Sequence, residues 1–168
     1  MTEMDFVEKL EECEDLPDIF ELVKESVKQT LGRDRAGLML GLADLGNFSS
    51  GFVGAYYPVD TNIIVMNRNP LERIKESKPE LFKPYAFHIL LHEYLHTLGL
   101  LSEERVRHLT YMISKECFGE EHLVSQIARD ISKIIPNIVY PGMEWKPNED
   151  FHITLVEGFD RSSYPYIG

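Results

Sequence analysis

Apolar residues recur at helical spacing twice near the start of the chain, first Phe6 and Leu10, then Phe20, Val23, Val27 and Leu31. With Pro17 opening the second run and Gly32 closing it, the pattern predicts helices over residues 3–12 and 17–31. The pattern then changes. "AGLMLGLADLG" (36–46), "GFVGAYYPV" (51–59) and "NIIVMNR" (62–68) are rich in β-branched, aromatic and glycine residues and are separated by turn chemistry at Gly46-Asn47 and Pro58, so they read as two or three sheet strands. From Pro70 the spacing is helical again: "LERIKESK", then a long helix from about Lys83 to Leu98 stopped by Gly99. Ser102 is a good N-cap for a helix from about Glu103 to Phe118, and a further helix is expected over 121–135, ended by Pro136. After it the chain is punctuated by proline and glycine, with a strand expected at 151–156.

These elements predict an α+β chain organised as one domain over residues 1–168, with N-terminal helices (1–32), a sheet (36–68), a helical region (83–135) and a C-terminal tail (136–168). A hydrophobic fraction of 43% over 168 residues suffices for one buried core. The net charge of -11, with only 17 Lys and Arg, argues against a nucleic-acid partner, which needs a basic face. Apolar runs such as Ile89 to Leu91 are too short for a bilayer, and the acidic, amphipathic N-terminus is unlike a signal peptide; the expectation is a cytoplasmic protein with no membrane partner. Cys13 and Cys117 stand far apart and in no C-x-x-C pair, so each is expected as a small buried group.

One stretch carries chemistry: "LLHEYLHTLGLLSEE", residues 90–104. His92 and His96, at i and i+4, project from one face of a helix and can reach one metal ion, for which zinc is the natural choice. A zinc ion with three protein ligands and an open position brings the pKa of bound water to about 7. Glu93, beside the ligand line, is where a general base that is not itself a ligand should be.

The H-E-x-x-H spacing resembles the zincin superfamily of metallopeptidases, and the resemblance extends over roughly residues 36–104. It implies a mixed sheet before the metal-binding helix, with "NIIVMNR" as an edge strand that pairs with an extended peptide or unfolded protein substrate. The chain is also similar to the longer metzincin signature H-E-x-x-H-x-x-G-x-x-H, with Gly99 at its glycine, but the third-ligand position holds Ser102, and Met143 is the sole candidate for a Met-turn. The third ligand is therefore sought elsewhere. Glu103 would give the His2Glu set of gluzincins, with Glu104 of similar merit; His122 is the rival, brought back if the Gly119 break folds the chain.

His108 is expected to face solvent, His88 to pack or hydrogen-bond, and His152 to lie in a strand without a ligand role. The resemblance implies peptide hydrolysis with Glu93 shuttling the proton, and Tyr140, Tyr164 or Tyr166 as donors to the developing oxyanion. It also implies possible latency, with "EGFDRSSYPYIG" in the cleft and Asp160 near the zinc. Two other classes stand beside it: a non-catalytic zinc-binding interaction protein, and a metal-dependent endoribonuclease with the faintly similar motif H-G-x-L-H-x-x-G-Y-D-H, from which Glu93 and Ser102 depart.

Overall fold

A computed structural model describes residues 1–46, 51–140 and 152–160. Helix α1 (Glu3–Glu12) starts at a capping box in which Thr2 and Asp5 each bond the other's backbone N–H, and α2 (Leu16–Leu31) is capped by Asp15 and ends at Gly32, whose φ of 66° is left-handed. Strands β1 (Met39–Ala43), β2 (Phe52–Val53), β3 (Ala55–Tyr56) and β4 (Ile63–Asn67) follow, then α3 (Arg68–Ser77), a 3₁₀ turn (Pro79–Leu81) and α4 (Phe82–Thr97). Beyond these lie α5 (Glu103–Phe118), α6 (Leu123–Arg129), a second 3₁₀ turn (Ile131–Lys133), β5 (Ile138–Val139) and β6 (Thr154–Leu155). The architecture is α+β.

The main sheet has the order β3-β4-β1-β6, with β1 and β4 parallel and both outer strands antiparallel to their neighbours. Strand β4 is therefore internal rather than the edge expected from the sequence, because both β1 and β3 pair with it. Its buried pattern explains this: Ile64 and Met66 join the main core on one face, while Val65 packs with Ala43, Leu45 and Val53 on the other. A strand covered on both faces reads as a continuous apolar run and suits the middle of a sheet. The expected strand at 51–59 is broken at Gly54, where an added Cβ would lie only 3.0 Å from the Ile89 and Tyr85 side chains and 3.1 Å from Ile138. Helix α4 presses on the backbone there.

That helix is the centre of the molecule. Every residue from Pro84 to Thr97 is buried, against α2, α5, α6 and the sheet. The expected helix at 121–135 is shorter, because Asp130 leaves helical conformation (φ -158°, ψ 91°) and caps the 3₁₀ turn after it, well before Pro136. The strand expected at 151–156 is reduced to the two residues of β6, and His152 lies before it, exposed; residue 151 falls outside the described residues. Cys13 and Cys117 are both buried as expected, and burial pushes the Cys117 thiol up to about 12.

Candidate metal centre

The last turn of α4 and the first of α5 meet at a tight reversal. Helix α4 stops at Leu98, Gly99 takes a φ of 95°, and its N–H bonds to the His96 carbonyl at 3.0 Å. Carbonyls released at this end find cationic partners: Arg33 donates to the Leu98 oxygen at 2.6 Å and Arg35 to the Thr97 oxygen at 2.7 Å. Ser102 then caps α5 by accepting from the Arg105 N–H at 3.3 Å, so the residue at the metzincin third-ligand position is engaged as a helix cap. Glu103, at the first position of α5, is turned back under α4.

The result is a cluster of His92, His96 and Glu103 whose candidate ligand atoms all lie within 4.8 Å of one another, the only such group among the described residues. The Glu103 carboxylate lies 2.7 Å from His96 Nε2 and 3.1 Å from His92 Nε2. Both histidines are about 1% exposed. His122, the rival, is elsewhere: its Nδ1 accepts from the Val124 N–H at 3.1 Å as the cap of α6, its ring lies against Phe118, and it lines a cavity of about 540 Å³ beside α1. Gly119 does break the helix and α6 packs back on α4 and α5, but His122 itself faces α1 rather than the histidine pair. Glu104 is exposed, and His108 is exposed as expected.

The donor set suits a cation. His96 Nδ1 donates to the Leu100 carbonyl at 2.7 Å, which fixes the tautomer and turns the Nε2 lone pair of the neutral ring toward the Glu103 carboxylate. Two acceptors facing each other need a proton or a metal between them. Burial lowers the His96 pKa, but the Glu103 hydrogen bond and the charges of Glu93 and Glu103 outweigh it and leave a net rise. Glu103 answers in kind: burial would raise it, yet hydrogen bonds from His92 and His96 bring it down to about 2. In a tetrahedral zinc site neighbouring donor atoms lie roughly 3.3 Å apart. The observed contacts of 2.7–3.4 Å bracket that spacing. His92 Nδ1 is buried with no hydrogen-bond partner among the described residues, and Tyr140 stacks on the ring with centroids 4.4 Å apart and planes 16° from parallel.

Glu93 is buried, and burial raises its carboxyl to about 8, opposed by His96 and reinforced by Glu103. It is close enough to both to feel their charge. Tyr140 is the one candidate oxyanion donor within the described residues; Tyr164, Tyr166 and Met143 lie outside them. Its hydroxyl contacts His88 Nε2 at 2.5 Å, which satisfies the expectation that His88 hydrogen-bonds, and Arg107 lies 4.7 Å from the Tyr140 ring centroid. Sequence reasoning missed Arg107, whose Nε is 3.9 Å from Glu103; its position one turn after that residue on the same helix was the available signal. Asp160 does not approach the cluster. It pairs with Lys24 of α2 at 2.6 Å and accepts from the Leu38 N–H at 3.2 Å.

No protein-family model, curated protein or solved structure matches this chain. No helix among the described residues is long and apolar enough to cross a membrane.

Proposed function

We propose that the chain is a zinc-dependent metallopeptidase of zincin type, with His92, His96 and Glu103 as the protein ligands and Glu93 as general base. The observation that carries this reading is the convergence of a His2Glu donor set on one side of a buried, non-ligating glutamate. Zinc bound there would supply Lewis acidity toward a peptide carbonyl and acidify a water. The chain's own residues do the rest. Leu100 holds the His96 tautomer through Nδ1, and Tyr140 fixes the plane of His92. The buried Glu93 carboxyl holds a proton readily near neutral pH, which suits a group that must take one and return it to a leaving amine. Peptide or unfolded protein is the substrate class that fits this chemistry.

The test is a pair of measurements on Glu93→Gln. The peptidase reading expects zinc content unchanged at one per chain and peptide cleavage reduced by about 10²–10⁴-fold, the range set by loss of general-base catalysis. Loss of zinc together with activity would move Glu93 into the ligand set.

One observation favours a second reading, a non-catalytic zinc-binding interaction protein: the histidines are almost wholly covered, and Tyr140 lies flat on His92. That reading expects bound zinc, an unaltered fold and no cleavage of any peptide by the wild type.

A further inference from the structure

Beside the candidate centre lies a cavity of about 390 Å³ that shares Tyr140, His88 and Arg107 with it. Its size is toward the lower end for ligand pockets and fits one or two amino-acid residues. Ile127, Ile131 and Ile138 give it an apolar lining, with Arg107 from α5 and Arg129 from the end of α6 also on its wall. This balance is unusual for the chain. Acidic residues outnumber basic ones 28 to 17, yet here two guanidiniums meet one carboxylate. That carboxylate, Asp130, is already engaged by the Ser132 N–H at 3.2 Å and the Ser132 hydroxyl at 2.6 Å. Arg107 makes a long 3.9 Å contact with Glu103, itself a member of the donor set, and lies over the Tyr140 ring, while Arg129 has no ion-pair partner among the described residues.

We propose that this cavity is a substrate subsite that anchors a carboxylate of the bound peptide, held by Arg107 and Arg129 with the apolar wall packing on the neighbouring residue. Guanidinium groups pair with carboxylates through two parallel hydrogen bonds, so a pair of them at the edge of an apolar pocket selects that group over an amide or a cation. The carboxylate comes either from an acidic side chain or from a peptide C-terminus. The inference rests on the peptidase reading for its biological sense, but binding tests it separately.

The experiment uses full-length, zinc-loaded Glu93→Gln protein and four N-acetylated hexapeptides of one sequence, with Glu or Gln at one central position and a free or amidated C-terminus. Calorimetry is expected to give at least tenfold tighter binding for peptides bearing a carboxylate than for the fully neutral one, and the Glu-amide and Gln-acid arms tell which source is read. Adding Arg129→Glu, an exposed change, should remove at least tenfold of that affinity while the neutral peptide shifts less than twofold; Arg129→Lys should restore part. Equal binding of all four, no binding of any, or indifference to Arg129→Glu overturns the subsite. Peptides that bind as expected but are never cleaved by the wild type would leave the subsite standing and remove the peptidase reading.

Discussion

Glu103 and His122, the two rival third ligands of the sequence reading, sit in opposite surroundings, and the contrast yields a prediction. Glu103 faces both members of the histidine pair, whereas His122 caps α6 beyond the C-terminal end of α5. Zinc content measured by elemental analysis should therefore fall from one per chain to near zero in Glu103→Ala and remain at one in His122→Ala; the reverse result would exchange their roles. His88 gives a pH prediction. Burial, with the nearby His92 charge, pushes its pKa down to about 3, so the folded chain holds it neutral while the unfolded chain protonates it at about 6.5. The stability contributed by neutral His88 is thus fully present above about pH 6.5 and is lost as pH falls toward 3. Denaturant midpoints between pH 7 and pH 4 should fall less steeply for His88→Gln than for the wild type, and equal slopes would show that His88 does not titrate with unfolding. The pair at i and i+4 and the glutamate between were legible because helical periodicity alone places them. That Glu103 rather than His122 faces the pair was not, since it depends on a reversal at Leu98–Ser102 whose direction no local pattern encodes.

The elements most readable in the sequence were those with chemical end signals. Pro17 and Gly32 bound α2 and Ser102 caps α5 at or within a residue of the expected positions, while the caps Thr2 of α1 and Asp15 of α2 were not anticipated. The short strands were not readable: β2, β3, β5 and β6 are two residues each, and their pairing is set by what packs on them rather than by alternation. Gly54 marks this, since its lack of a side chain lets α4 approach between β2 and β3. The end of α4 likewise depends on remote residues. The Arg35 guanidinium bonds the Thr97 and Thr61 carbonyls at 2.7 and 2.9 Å and the Tyr57 hydroxyl at 3.2 Å, and its backbone N–H donates to the Tyr94 hydroxyl at 2.8 Å. It thus clamps the turn of helix that carries His96 to the loop before β4. Hydrogen bonds to charged groups contribute about 1.5–3 kcal/mol each before partial replacement by water. Arg35→Ala should lower the melting temperature by roughly 5–10 °C, and should weaken zinc affinity although no donor atom is touched. Unchanged zinc affinity in a destabilised variant would show that the helix end holds its position without the clamp.

At the scale of the whole molecule, the last described residues after β6 are tied to α2 rather than to the histidine cluster. Phe159 is buried and stacks on Phe20 with centroids 4.0 Å apart, and Phe20 meets Tyr94 of α4 edge-on at 5.4 Å. Asp160 forms the buried ion pair with Lys24, which Glu21 also contacts at 2.9 Å. Residues 159 and 160 therefore pack with the core that holds α4, and a truncation that begins at 158 would remove core along with tail. Deleting a buried phenylalanine side chain costs about 3–5 kcal/mol, and removing one partner of a buried ion pair costs about as much. Truncation after Gly158 should therefore lose several kcal/mol more in denaturant unfolding than truncation after Asp160, with Phe159→Ala and Asp160→Ala each accounting for part of the difference. Equal stability of the two truncations would detach 159–160 from the core. Only the truncation after Asp160 addresses latency cleanly: a rise in peptidase activity there, with zinc content and melting behaviour of the described core retained, is the outcome an inhibitory tail requires, and unchanged activity rejects it.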